Sequence, residues 1–555
     1  MTVSYYFYTL RYLKIKQLVD RFYRKVRRIN QQLSTIPAIR QSTGKWLKLN
    51  LAQPSMLSSR EFIFLNKRGK LLDVNSWNDT AFEKLWLYNL HYFEDLVAIE
   101  SEVRKEWHLD LISSWINDNP VTYGNGWEPY PTSLRVVNWI KWFFNGQMPE
   151  PGWLHSLALQ AKVLSQSLEY HLLGNHLFAN SKALIFAGIF FEGDEPESWL
   201  KKGLEILDTE IKEQVLADGG NFELSPMYHN IMLYDLLDLI NISQHYIYSE
   251  FKQREDSWRL TAEKMLVWMN MMLHQDGDIA FFNDSVKAIA PSPDKLKDYA
   301  LKLNIKEGTT KRTNQNLSES IQFCRLADSG YLRLESKDAV AILDCAKIGP
   351  DYQPGHAHAD TLSFELSLFG QRTVVNSGIS QYGETIERLR QRSTAAHSTV
   401  EIDGENSSEV WAGFRVARRA RPCDLVIKEK REIITVSCIH DGYRRLPGRP
   451  IHKREWIFTP ESLAIVDNIS GQFTKAIAYY YLHPNVKASI LNVDSHVYKI
   501  LLKLENFKEA LIKITGSKSI NIVNSYWYPE FSVSIPNQCI QIEFNDCEIK
   551  TKINW

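Results

Sequence analysis

Residues 353–375 read QPGHAHADTLSFELSLFGQRTVV. The later part decides the fold class of the C-terminal half. Leu362, Phe364 and Leu366 alternate with Ser363, Glu365 and Ser367, the two-residue period of a strand. The earlier part carries groups able to do chemistry. His356, His358 and Asp360 are spaced two apart, so an extended conformation reaching back to His356 puts all three on one face. Two imidazoles and a carboxylate on one side of a strand make a metal site or an acid/base site. A polar, solvated strand edge is the plain alternative.

Outward from this stretch, the text after about residue 320 is a series of short β-branched and aromatic runs. GYLRLES, AVAILDC, STVEID, REIITVSCIH, KREWIFTP, LAIVDNI, IAYYYLHP, YKILLKL and CIQIEF are separated by turn residues, and Asp403-Gly404 is a hairpin signal. Such spacing predicts an antiparallel β-sandwich domain over 321–555. Upstream, from about 76 to 310, the period changes to 3.6. WLYNLHYFEDLVAI, TSLRVVNWIKWFF, HLFANSKALIFAGIFF, ESWLKKGLEILDTEIKEQVL, MYHNIMLYDLLDLINISQHY and others read as helices joined by short links. No fixed repeat marks them as a standard solenoid. Residues 304–320 are polar and make the linker. Residues 1–75 read as a helical arm followed by a poorly periodic connector with a turn at Arg68-Gly69. The chain is thus multidomain, α then β.

The formal net charge is zero, so the chain carries no overall electrostatic signature for nucleic acid. The six cysteines form no CxxC pair, which argues against a thiolate metal site or redox motif. The N-terminus lacks the apolar core and small-residue cleavage site of a secretory signal, and no stretch is long and apolar enough to span a bilayer. The expected location is cytoplasmic, with peripheral membrane contact as a further option. That option comes from Leu13, Ile15, Leu18, Val19, Phe22 and Val26, a helical stripe bordered by Lys14, Lys16, Arg21, Arg24, Lys25, Arg27 and Arg28. Such a helix either lies on an anionic membrane surface or docks on its own protein with its charges in water.

Four stretches of the helical half carry polar groups that a core helix does not need. They hold Trp127, Glu128, Tyr130 and Arg135; Asn175, His176, Asn180 and Lys182; Asn221, Glu223, Tyr228 and His229; and Asp276, Asp278, Asn283 and Asp284. Helix capping is the plain reading of each. Asn175 suits an N-cap, and Ser225 with Pro226 suits an N-cap followed by proline at the first helical position. Together, at the ends of helices and beside His-x-His, they read as one cleft. In the β half, Arg388, Arg390 and Arg392 precede His397, and guanidinium forks suit carboxylate or sulfate.

The combination GNHLFANSKAL, SPMYH, HAHADTLSFEL and RSTAAHSTVEIDG resembles the heparinase II/III-like polysaccharide lyases, over roughly residues 80–550. The resemblance implies an incomplete α/α toroid followed by antiparallel β-sandwich domains, with a cleft between them. It implies β-elimination at a uronic acid of an acidic polysaccharide, with no cofactor required and no particular oligomeric state. That chemistry needs a group to neutralise the carboxylate, a base for the C5 proton and an acid for the departing O4. By resemblance, Asn175 contacts the carboxylate, Tyr228 acts at C5 or O4, and His356 is the second base or a charge stabiliser. Tyr228, to act as a base near neutral pH, needs cationic neighbours. Trp127, Glu128, Tyr130, Arg135, His176, His229, Arg388 and Arg392 are the candidate substrate-binding residues. Metal-bearing relatives imply a structural zinc on His358, His397 and an aspartate whose place is taken here by Asn376, a weaker ligand.

The absence of an export signal suits work on the cell's own capsule, exopolysaccharide or lipopolysaccharide. Two other readings stay open: a non-catalytic glycan-binding module on the same fold, and a glycoside hydrolase. The hydrolase needs paired carboxylates across the cleft, with Glu128, Glu223 and Asp276 as candidates.

Overall fold

The computed structural model describes residues 3–33, 35–308, 321–494 and 497–555. Most of the expected linker, 309–320, lies outside the described residues. Two short helices come first, α1 (Val3–Leu10) and α2 (Ile15–Val26). The helical half follows: α3 (Lys84–Tyr92), α4 (Lys105–Asp118), α5 (Pro129–Phe144), α6 (Pro151–Ser165), α7 (Gly174–Phe190), α8 (Asp194–Gln214), α9 (Pro226–His245), α10 (Ser249–Met271) and α11 (Pro293–Lys302).

Local chemistry explains the helix ends. Proline opens α5, α6, α9 and α11, where a missing N–H costs nothing. α8 begins with Asp194, Glu195 and Glu197 and carries Lys212 in its last turn, both favourable to the helix dipole. α7 is buried along nearly its whole length, which is why its sequence is apolar all round.

Two large sheets form most of the C-terminal half, beside a two-stranded one of Val410–Trp411 and Arg415–Val416. The nine-stranded sheet runs, in spatial order, Ser519–Trp527, Ile535–Phe544, Ala476–Leu482, Gln371–Val375, Phe364–Leu368, Ala339–Asp344, Tyr331–Ser336 and Ile321–Leu326, with Val400–Ile402 also pairing Ala476–Leu482. The eight-stranded sheet runs Pro422–Lys430, Ile433–His440, Ile451–Thr459, Ser462–Ser470, Glu548–Asn554, Glu509–Thr515, Val497–Lys503 and Lys487–Asp494. Leu334, Phe364 and Leu366 of the first sheet share one core with Val436, Trp456, Ile465 and Ile512 of the second. The other face of the first sheet packs on helices, with Val340 and Ile342 against Trp268 and Met272 of the α10 end. An incomplete α/α toroid therefore precedes an antiparallel β-sandwich.

This double burial extends to both faces of Phe364–Leu368. Its polar face is not solvated. Glu365 and Ser367 are buried and both bind His274, at 2.7 Å each. The connector is also more ordered than its pattern suggests. Met56–Ser58, Glu61–Phe64 and Lys67–Lys70 form a three-stranded sheet. Its turn is at Leu65-Asn66, both with positive φ, and not at Arg68-Gly69. Gly69 lies within a strand, where a Cβ would meet the Trp86 ring at 2.3 Å and so only glycine fits.

Buried carboxylates tie these parts together. Burial alone would push Asp467 up, but Arg454 and His452 outweigh it and hold the acid down to about 2. Asp95 is likewise held to about 2 by His108, Arg104 and backbone N–H groups, again against burial. A native pKa below the ordinary value near 4 stabilises the fold above that value and is lost as pH falls through the native one. The melting temperature is therefore expected to drop between about pH 4 and pH 2. Asp467→Asn is expected to melt lower at neutral pH and to show a shallower acid drop. An acid-insensitive wild type would contradict this assignment.

Candidate active site

A cleft of about 1680 Å³ lies between the two halves. Three helices supply rows of side chains to it at helical spacing. These are Tyr130, Ser133, Val137 and Lys141 of α5; Asn175, His176, Ala179 and Lys182 of α7; and Tyr228, Ile231, Asp235 and Asp238 of α9. From the β half come His356, Tyr382, Phe414 and Arg415. One end of the rows holds Asn175 and Tyr228. Two to three turns on, roughly 10–15 Å along a helix, sits a charged layer. There Lys141 and Lys182 bind Asp238 at 2.9 and 2.6 Å, and Lys182 binds Asp235 at 2.7 Å.

The two motifs at the near end are built against each other. α7 begins at Gly174, whose φ is +56° and whose absent Cβ would meet the Gln353 amide at 2.3 Å. Asn175 is thus inside the helix, not its cap, and Leu173 precedes it without a side-chain cap bond. Asn175 Oδ1 is buried and has no hydrogen-bond partner among the described residues. Ser225 does cap α9: its Oγ accepts the Tyr228 N–H at 3.2 Å and donates to the Asp284 carbonyl at 2.6 Å.

Asp284 is the hub. His356 Nδ1 lies 2.9 Å from Oδ2, His358 Nε2 lies 2.7 Å from Oδ1, and Arg388 grips both oxygens. Burial would raise this carboxyl, but Arg388 and the two imidazoles hold it well below the usual range. It is therefore an acceptor only, and both imidazole N–H groups must point at it. That sets the tautomer of neutral His356 with its Nε2 lone pair free. The His356 ring lies against the Tyr228 ring with centroids 3.9 Å apart. The Tyr228 hydroxyl is 3.0 Å from that of Tyr382. Glu223 Oε2 stands 3.7 Å from His356 Nε2.

HAHAD is not a strand. The strand starts only at Phe364, and residues 353–363 form turns and loop. Asn283, in the left-handed region, accepts the His358 N–H and gives its own N–H to Asp360. The turn rotates His356 into the cleft and His358 into the interior.

Several expected substrate contacts are instead structural. Trp127 is buried, with its indole N–H on the Asn119 carbonyl. Arg135 is fully buried between Trp115, Gln160 and the His91 carbonyl. His229 is fully buried between the Met265 carbonyl and the Trp268 ring. Arg388 is consumed by Asp284, and Arg392 by the carbonyls of Ala357, Ala412 and Gly413. In each case a long polar side chain satisfies buried backbone or charge, which sequence spacing alone does not reveal. Tyr130 and His176 do line the cleft, ring on ring at 4.5 Å. Burial would lower His176, but Glu169 at 3.2 Å outweighs it and raises its pKa. Glu128 is half-buried outside the lining and takes bonds from Tyr88 and Lys84.

The zinc expectation is not met by the donor set. Burial pushes His358 down to about 4, so it is neutral at ordinary pH. With Nε2–H on Asp284, its Nδ1 accepts a hydrogen bond from His397 Nε2 at 3.1 Å. Asn376 Oδ1 accepts the Ser398 N–H at 3.2 Å. Among the described residues, no group of three His, Cys, Asp or Glu side chains could hold a metal. Two imidazoles bonded to each other and a committed neutral amide do not fit zinc.

The sequence reading assigned no role to Asp284 or Tyr382. In the sequence Asp284 stands only as one of many polar groups of the cleft, with nothing to pair it with His356, His358 or Arg388. Tyr382 stands in a loop whose partners, Tyr228 and Arg388, are remote in sequence. The three carboxylates named as candidates for hydrolysis do not form a pair across the cleft. Glu128, Glu223 and Asp276 are absent from its lining, and Asp276 is bound to Arg372 at 2.7 Å.

Known proteins agree with this architecture. The Heparinase II/III N-terminus family matches residues 9–301, and the Heparinase II/III-like C-terminal family matches residues 321–555. The chain belongs to the heparinase II/III-like family. It is 27% identical over 384 residues to a heparin-sulfate lyase of Pedobacter heparinus, covering 61% of this chain and 55% of that protein. It is 26% identical over 386 residues to a heparin-sulfate lyase of Bacteroides stercoris, covering 66% and 54%. The chain thus spans about half the length of the curated relatives it matches. The crystal structure of heparinase III superposes with a TM-score of 0.67 at 17% identity, covering 98% of this chain and 85% of that one.

Proposed function

We propose that this chain is a polysaccharide lyase that cleaves a uronate-containing acidic polysaccharide by β-elimination. The observation that carries the reading is the packing of Tyr228 on His356 inside a cleft, with His356 oriented by a buried, ionised Asp284. In this reading, His356 Nε2 takes the C5 proton. The freed electron pair forms the C4=C5 double bond, the C4–O4 bond breaks, and O4 takes a proton. Tyr228 is the donor for that last step. Burial, Tyr382, Asp284 and Glu223 all raise its phenol well above the ordinary value, so it carries its proton at neutral pH. The cationic neighbours that a tyrosinate base requires are not what surrounds it, so the acid role suits it better than the base role.

Asn175 offers an amide where the uronate carboxylate must be held while charge builds on it. Arg415, exposed at the cleft wall, offers a charge for an acidic chain. Asn175→Ala is expected to lower kcat by about 10²–10³-fold with KM less affected, since the amide acts most strongly as charge develops.

The reading is tested on a panel of uronate polymers, following ultraviolet absorbance of the unsaturated product together with chain length. Shortening with absorbance supports it. Shortening without absorbance would mean hydrolysis, and binding without shortening would mean a binding module. Either result, or no effect on any polymer including the producer's own glycan, counts against elimination.

A further inference from the structure

α2 is amphipathic in an unexpected sense: its polar side faces the protein. Gln17 and Asp20 are buried. Gln17 Nε2 donates to the Tyr352 carbonyl at 3.4 Å, Asp20 accepts the His171 N–H at 3.0 Å, and Arg24 touches the His171 ring at 3.0 Å. The opposite side carries Ile15, Leu18, Val19, Phe22, Tyr23 and Val26, from 49% to 78% exposed. At 3.6 residues per turn these six fall on one arc of about 140°. A soluble surface has no use for a continuous apolar stripe of this kind. Val3 and Phe7 of α1 are exposed as well.

Charge indicates what covers the stripe. Residues 1–30 hold eight Lys and Arg and one acid, Asp20, which is turned inward. By helical geometry, Lys16 borders the apolar arc on one side and Arg21 and Lys25 on the other, with Arg28 just beyond the helix. Lys25 and Arg28 are exposed and form no ion pair among the described residues. An apolar face rimmed by cations matches the boundary between acyl chains and anionic headgroups. A second copy of the chain would bring the same positive rims together, which opposes self-pairing.

We propose that α2 docks this protein on an anionic lipid bilayer, with its apolar side chains among the acyl chains and its basic rims on the headgroups. Leu13, Gln17 and Arg21 of the same segment line the cleft, so docking sets the cleft beside the lipid surface.

The test floats the full chain with vesicles of phosphatidylcholine alone, or mixed with phosphatidylglycerol, and measures its mass in solution. The expected result is about tenfold or more binding to the mixed vesicles over the neutral ones, weakened by salt. L18S/V19S/F22S should abolish binding while the melting temperature stays unchanged, because none of the three contacts the protein through a polar bond. If that variant melts early, K25E/R28E carries the test and should cut binding to mixed vesicles about tenfold. Wild-type protein that floats with neither vesicle overturns the proposal. So does a wild-type dimer that L18S/V19S/F22S converts to monomer, since a second copy would then cover the face.

Discussion

Tyr228→Phe is expected to lower kcat by about 10²–10⁴-fold, the usual worth of a positioned proton donor, while the protein stays folded. The substitution keeps the ring that packs on His356 and removes one hydroxyl. Among the described residues that hydroxyl bonds Tyr382 alone, at 3.0 Å, so the stability cost is about 1 kcal/mol. A donor acting at O4 is dispensable when the leaving group needs no proton. Tyr228→Phe should therefore recover most of its activity on a substrate with fluoride or a phenol at C4. An equal loss on both substrates would move Tyr228 to the C5 proton. Full activity in the variant would remove it from the mechanism altogether.

Arg388→Met is expected to cost about 3–5 kcal/mol, because it leaves Asp284 ionised and buried without its main counter-charge. Arg388 is fully buried and grips both carboxylate oxygens. The same loss should reach activity, since Asp284 sets the His356 tautomer and ring position. Thermal melting and kcat should fall together. The double variant Arg388→Met with Asp284→Asn should recover part of the stability, because it removes the stranded charge. It should recover little kcat, because a neutral amide does not enforce the His356 tautomer. A single Arg388→Met variant that melts like wild type would show that Asp284 is not held as an ion pair.

The order of helices and strands was legible because it depends on periodicity, which is local. TSLRVVNWIKWFF repeats near 3.6 and lies in α5; TLSFELSLF repeats at two and holds a strand. Polar groups at the ends of otherwise apolar elements marked a wide set of candidates, and the resemblance to the lyase family singled out Asn175, Tyr228 and His356 among them. The cleft then gathered all three. The sequence by itself determined an α half before a β half, and which motifs carry reactive groups. The tertiary structure alone decided which of those groups face the cleft. Arg135, His229 and Arg392 carry the same chemistry as surface residues, and only the folded chain shows buried carbonyls, carboxylates and rings waiting for them. It also decided the direction of α2, whose pattern fits either orientation. Its polar side turned inward because Tyr352, His171 and Glu213 offered bonds there that water could not improve on. HAHAD divides for the same reason: one carboxylate, Asp284, brought from 72 residues away, takes an N–H from each histidine. It leaves His356 in the cleft and His358 in the core.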